Sequence, residues 1–292
     1  MRRFFYPHGE TDLVDEVMPL AHRQIGDTLP LPDSIRHHWC QVLRAKVDDE
    51  AVLFDGLGGE RQVTLTAIDK KNANVTLGEH HDVDRTAPIA SNVAIVMSRG
   101  DRMDYVIQKS TELGASVIQL LTSEHGEVRL KSHQVDKKLA HWQQVALSAC
   151  EQCGLNRPPV VISPIPIDEF LAGSHGKASD ETDYLLHQSF YQRLLDTPAD
   201  LQLVLAVPNR QQSMTKSMPV SMNDIQSKLH LSAKPRLHIQ LLIGAEGGLS
   251  DSEIEKALQV GFLPWQIGER VLRTETAPVV ALSLLNACAK LS

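Results

Sequence analysis

The residues best suited to chemistry lie in two short runs near the end of the chain, LLIGAEGGLSDSE (residues 241–253) and IGERVLRTETAP (residues 267–278). Each reads as a strand end, a tight polar loop and a helix start. Two such loops close in sequence can enclose one small ligand through the backbone groups left free there. In the first, Gly244, Gly247 and Gly248 let the chain turn where a Cβ would clash and let a ligand approach the main chain. Ser250 and Glu253 fit the S-x-x-E capping box, and Ile254, Ala257 and Leu258 follow at helical spacing up to a stop at Gly261. In the second, Arg270 and Arg273 follow Ile267 and Gly268, Thr274 or Thr276 can cap the next helix, and Pro278 falls in its first turn. A purely structural loop rarely needs Arg, Thr, Glu and Thr in one run.

Glu246 bears on the class of ligand. A carboxylate inside a phosphate cradle repels its guest, by ~1 kcal/mol at 4 Å in water and ~4 kcal/mol at an effective dielectric of 20. No G-x-G-x-x-G opens the α/β region and no G-x-x-x-x-G-K-[ST] occurs, so the common dinucleotide and nucleoside-triphosphate cradles are missing.

The elements that must position these loops alternate between strand and helix. Residues 92–97 read as an apolar strand, and Asp101 can cap a helix bearing Met103, Val106, Ile107, Ser110 and Leu113, stopped by Gly114. Residues 116–121 begin the next strand, which makes a right-handed parallel βαβ unit. A long helix is expected over residues 134–153, with strands at 159–162, 184–187, 201–207, 237–243 and a short apolar segment at 262–267. Before residues 82–88 the pattern differs. Short strands at 51–54 and 62–68 flank the turn DGLGGE, a third is expected at 74–77, and a short helix at 35–43 leads into them. A small β-barrel closes such strands. The chain therefore divides into residues 1–83 and 84–292, an α/β domain following a β domain. Residues 173–183 and 211–235 read as loops with little structure, the second an inert insertion or a lid over the first glycine loop.

Composition bounds the class. The 292 residues suffice for two cores, and no apolar run approaches membrane-spanning length. The start MRRFFYPHGE lacks the apolar stretch of a signal peptide, and four cysteines make no disulfide framework at this size, so a cytoplasmic soluble protein is expected. Cys150 and Cys153 form a C-x-x-C within a helix with no second pair, and His37-His38 and His80-His81 lack helical metal spacing. These are read as structural or surface residues, with no metal. The net charge of −7 argues against a nucleic-acid partner unless positive charge is concentrated locally.

The pair GAEGGLSDSE and IGERVLRTETA resembles the cofactor-binding signature of the RsmE family of ribosomal RNA methyltransferases, in the SPOUT superfamily. MRRFF at the amino terminus, RGDRMDYVIQKSTELG at residues 99–114 and ACEQCG at 149–154 match as well, so the resemblance spans nearly the whole chain. It implies a C-terminal SPOUT α/β trefoil-knot domain with a parallel sheet, preceded by a small PUA-like RNA-binding β-barrel. The implied cofactor is S-adenosyl-L-methionine, which carries a sulfonium cation and no phosphate, so Glu246 is tolerable beside it. The implied substrate is N3 of a specific uridine in 16S ribosomal RNA of the small subunit, and the implied assembly is a homodimer, with the apolar face of the last helix a candidate for its interface.

Carried onto this chain, the signature assigns cofactor binding to Leu242, Ile243, Gly244, Glu246, Gly247 and Gly248 in the first loop. In the second it assigns Ile267, Gly268, Val271, Leu272, Arg273, Thr276 and Ala277. Uracil N3 carries a proton and is a poor nucleophile until that proton leaves. Arg273 is therefore assigned to stabilise the uridinate, and Glu275 to accept the proton or orient Arg273; bracing of the loop is the alternative role. Candidate RNA contacts are Arg2, Arg3 and Arg44 in the first domain and Arg99, Arg102 and Lys109 in the second. Ala245 stands where the family usually has proline, Ser98 where lysine is common, and Leu155 where arginine is common, while SEHGEV at residues 123–128 lacks a cysteine often seen there. Alternatives are a SPOUT enzyme acting on another RNA site, a non-catalytic RNA-binding protein, and an enzyme that holds a phosphate cofactor in the same loop.

Overall fold

The computed structural model describes residues 1–7, 18–180, 182–205, 219–230, 234 and 236–290. The chain forms two compact units, Met1–Arg85 with Cys150–Pro158, and Thr86–Ala149 with Pro159–Ser292. The first unit thus takes in eleven residues, 84–85 and 150–158, of the region that the sequence assigns to the second domain.

The first unit is built on β1 (Arg2–Phe5), β2 (Thr28–Pro30), β3 (Glu50–Phe54), β4 (Glu60–Ile68) and β5 (Ala73–His81), in the order β1-β3-β4-β5-β2. Pairing is antiparallel except between β1 and β3. The Tyr6 hydroxyl, just past β1, donates to the Pro30 carbonyl of β2 at 3.4 Å, so the two sheet ends meet as in a small barrel. Alternation places Val63 and Leu65 of β4 and Ala73, Val75 and Leu77 of β5 in one core. Helix α1 (Asp33–Arg36) passes directly into a π-helical turn (His37–Val42), and together they set Ile35 and Trp39 on that core. In the β3–β4 turn, a Cβ at Gly59 (φ 72°) would lie 2.4 Å from His80 Nε2, and one at Gly58 (φ 107°) would lie 2.3 Å from Arg157 Nη2. His80 is accordingly half-buried, not the surface residue expected, and burial lowers its pKa. Residues 150–158 are bonded into this unit. Glu151 Oε1 accepts from Phe5 N–H (3.0 Å), the Asn156 amide donates to the carbonyls of Gly59 and Val83, and its oxygen accepts from Arg85 N–H.

The second unit contains β6 (Ile89–Val96), α2 (Asp101–Glu112), β7 (Ala115–Thr122), α3 (Ser132–Cys153, its last turn counted with the first unit), β8 (Val160–Pro166) and α4 (Ile167–Leu171). There follow α5 (Asp183–Leu186), α6 (Ser189–Asp196), β9 (Leu201–Leu205), α7 (Met222–His230), β10 (Leu237–Ile243), α8 (Asp251–Gln259), β11 (Leu263–Trp265) and α9 (Ala277–Lys290). Six parallel strands lie in the order β11-β9-β10-β6-β7-β8. All eight residues of β6 are buried, as a strand covered on both faces requires. One face packs Val93, Ile95, Ile118, Leu120 and Leu241 with α2, α3 and α9, and the other packs Ala94, Val96, Leu121 and Leu242 with α4 and α8.

Three local expectations are corrected. Residues 184–187 are not a strand: α5 takes most of them, because Leu185 alone is buried and a turn at Ser179 and Thr182 leads directly into it. The cap of α2 is Gly100, at φ 60° and ψ −141°, and Asp101 is already helical. Within 211–235, α7 is a helix. Ser221 N–H donates to Asp224 Oδ2 (2.9 Å) and Asp224 N–H donates back to Ser221 Oγ (3.2 Å), while Ile225 is fully buried. The rest of that segment, apart from 219–221 and 234, lies outside the described residues, and with it most of the lid reading.

Candidate active site

Strand order reverses between β10 and β6, and in open parallel sheets ligands bind outside the carboxyl ends of strands at such a point. The loops after β10 and β11 both emerge at that edge. Together with Leu205 at the end of β9 they line an open recess at the carboxyl ends of the strands.

The first loop folds back on itself. Gly248 (φ 73°) donates its N–H to the Ala245 carbonyl at 2.8 Å, and a Cβ on Gly244 would come within 2.9 Å of Leu249 N. The capping box expected from the sequence is present: Ser250 Oγ accepts from Glu253 N–H, and Ser250 N–H donates to Glu253 Oε2 (2.8 Å). Glu253 Oε1 also accepts from Glu124 N–H at 2.8 Å, which fixes the loop after β7 beside the loop after β10. In the second loop the Arg273 carbonyl accepts from the N–H groups of both Thr276 and Ala277, and α9 starts there. Thr274 is buried, and the Thr276 carbonyl accepts from Val280 N–H.

Of the thirteen residues assigned to cofactor binding, Ile243, Gly244, Gly248, Ile267, Val271, Leu272 and Ala277 line the recess. Leu242 packs on the opposite sheet face. Glu246 and Gly247 form the outer tip of the turn, where Glu246 Oε1 meets Arg102 Nη1 at 2.8 Å and Gly247 lies against His125. Gly268, Arg273 and Thr276 stand in the second loop without lining the recess. Leu205, Ala245, Leu249, Trp265, Arg270 and Thr274 complete the lining and were not assigned from sequence. Ala245, Leu249, Arg270 and Thr274 carried a signal, being inside the two motifs. Leu205 carried none, because its place depends on strand order. The Arg273 side chain is 80% exposed, with Nη1 3.9 Å from Glu275 Oε1. Glu275 is 16% exposed, and its Oε2 is buried without a hydrogen-bond partner among the described residues.

The six candidate RNA contacts divide. Arg2 and Arg44 are exposed, Arg44 at φ 58°. Arg3 is turned inward: its Nη1 lies 2.7 Å from Glu60 Oε2, its guanidinium stands 5.2 Å from the Phe54 ring centre, and its side chain is 13% exposed. Arg85 donates to both Glu60 oxygens, at 2.8 and 2.9 Å, and the two arginines keep that carboxyl at a pKa of about 2, Arg85 contributing most. Arg99 pairs with Glu127 at 2.9 Å, Arg102 with Glu246, and Lys109 with Glu112 at 2.7 Å. Among the described residues no three His, Cys, Asp or Glu side chains cluster as a metal site, and no helix is long and apolar enough to cross a membrane.

Known proteins share this plan. Residues 85–286 match a family described as an RNA methyltransferase domain, and residues 31–78 match one described as an RNA methyltransferase PUA domain. A Buchnera aphidicola (subsp. Schizaphis graminum, strain Sg) protein named ribosomal RNA small subunit methyltransferase E is 28% identical over 263 residues, covering 90% of this chain and 92% of its own length. The Bacillus subtilis (strain 168) protein of that name is 26% identical over 250 residues, covering 86% of both chains. The Neisseria gonorrhoeae enzyme of that name, solved bound to S-adenosyl methionine, is 29% identical with a TM-score of 0.73, covering 98% of this chain and 97% of its own. A Legionella pneumophila protein solved with bound SAM is 30% identical with a TM-score of 0.74, covering 98% and 96%.

Proposed function

The chain belongs to the RNA methyltransferase family represented by ribosomal RNA small subunit methyltransferase E, and from that membership we propose that it methylates N3 of one uridine in 16S ribosomal RNA. The observation that carries the reading is the recess between the glycine loop and the RTETA loop, at the carboxyl edge of a sheet that relatives share with S-adenosylmethionine bound. The residues present fit that cofactor. Gly244 and Gly248 bring main chain to the wall of the recess, Leu205, Ile243, Leu249, Trp265, Ile267 and Leu272 offer apolar walls for a purine, and no metal or phosphate cradle is required. When bound, S-adenosylmethionine supplies a methyl group already activated on sulfur.

The protein then has two tasks. It must hold the uracil in line, and alignment of this kind can supply ~7–11 kcal/mol of a barrier. It must also remove the N3 proton. Glu275 Oε2, buried beside the loop and bonded to no described group, is the proposed acceptor, and Arg273, reaching into solvent at the same loop, offsets the charge left on the uracil. Arg2, Arg44, Arg99, Arg102 and Lys109 are the proposed contacts to the RNA backbone. The trefoil knot belongs to the same reading and is supported by the family membership. So do a homodimer, whose interface would use the apolar last helix, and a cytoplasmic location, where the ribosome is the substrate.

Mass spectrometry of small-subunit RNA nucleosides from cells with and without the gene tests the function. Loss of 3-methyluridine is expected on deletion, and its persistence would refute the assignment.

A further inference from the structure

The chain has 36 acidic and 29 basic residues, and two arginines at the start of α2, Arg99 and Arg102, are masked by its own carboxylates. Arg102, in the first turn of α2, pairs with Glu246 at 2.8 Å, the two side chains 49% and 39% exposed. Arg99 repeats the arrangement with Glu127, at 72% and 62% exposure. Ion pairs this open to water hold weakly and exchange partners readily. Glu246 differs from Glu127 in where it is mounted. It is the tip of the turn that Gly248 N–H closes on the Ala245 carbonyl, and both residues at the base of that turn line the recess. A change of charge at Glu246 is therefore one residue away from the ligand wall.

We propose that the Arg102–Glu246 pair is an exchange contact that couples RNA binding to recognition of the charged methyl donor. An RNA phosphate takes Arg102, and the carboxylate left behind favours a cation in the recess over a neutral guest. While the pair is formed the tip of the turn presents no net charge to the recess. Once Arg102 has moved to phosphate, Glu246 presents a full negative charge. S-adenosylmethionine carries a sulfonium cation, whereas its product S-adenosylhomocysteine is an uncharged thioether at that atom. RNA thus selects the fresh donor over the spent one. By linkage, the donor-bound protein holds RNA more tightly than the product-bound protein does.

The inference rests on the recess being the S-adenosylmethionine site, and the test separates the two. Equilibrium binding is measured for S-adenosylhomocysteine and for an adenosyl analogue with an ammonium group in place of the sulfonium and no transferable methyl. Each is measured with and without small ribosomal subunits. In the wild-type chain, subunits should tighten the ammonium analogue about fivefold and leave S-adenosylhomocysteine unchanged. Arg102→Met should show the tightened affinity without subunits and gain nothing from them. Glu246→Gln should bind both ligands without responding to subunits, each variant first shown to unfold at the wild-type temperature. Equal tightening of both ligands in the wild type, or a Glu246→Gln chain that still discriminates, overturns the coupling. Failure of both ligands to bind the wild-type chain overturns the site itself.

Discussion

Asp200 and His238 are bonded twice: Asp200 N–H donates to the His238 carbonyl at 2.8 Å, and His238 N–H donates to Asp200 Oδ2 at 3.0 Å. The exchange joins the residue before β9 to the second residue of β10 and leaves both ring nitrogens of His238 buried without a partner among the described residues. Burial, with Arg193 and Lys234 nearby, brings that imidazole down to a pKa of about 4, against the opposing pull of Asp200. An unfolded chain takes up the proton near pH 6.5 and the folded one does not. Stability is therefore complete above that pH and falls as pH drops toward 4, by up to about 3 kcal/mol. His238→Phe should flatten this slope in urea titrations between pH 6.5 and 4, and an unchanged slope would remove His238 as its source.

Arg273→Ala should lose at least about a hundredfold in methyl transfer, the range of a missing acid–base or charge-stabilising group. The side chain is 80% exposed, so the melting temperature should hold. Glu275→Gln should lose a similar factor, and a Glu275→Gln chain that keeps the wild-type rate of methyl transfer would exclude Glu275 as the proton acceptor.

Gly248→Ala places a Cβ on a residue at φ 73°, at a cost of about 1–2 kcal/mol, in the turn that walls the recess. Calorimetric titration should show S-adenosylmethionine bound about tenfold more weakly or worse. Wild-type affinity would mean that this turn does not touch the ligand.

Two arginines of the first unit should part company. Arg44→Ala should lower the salt dependence of RNA binding by ~0.9 in slope, as one phosphate contact does. Arg3→Ala should leave the slope alone and cost roughly 1.5–3 kcal/mol of stability, because a buried carboxylate loses one charge-assisted bond while Arg85 keeps its own. Filter binding across salt concentrations and urea unfolding together check both.

Much of this was readable from the chain because local rules fix it. The Ser250–Glu253 box, the strand at Leu237–Ile243 and the alternation in β4 and β5 depend on near neighbours alone. The helix at Met222–His230 was as legible, since Ser221 and Asp224 form an S-x-x-D box, yet the polar composition around it reads as loop. What local rules do not reach is the recess wall at Leu205 and Trp265 and the inward turn of Arg3. The first needs the order of strands in the sheet. The second depends on Glu60, whose oxygens are already committed to Arg85 as well.

The return of residues 150–158 to the first unit has a consequence for how this protein is dissected or inherited. A stop codon after the β-rich region would strip away Asn156, and with it the amide that secures Gly59 and Val83. The amino-terminal module is therefore no cassette that a single crossover could transplant. Laboratory truncations and natural recombination alike must carry the nine-residue patch with it.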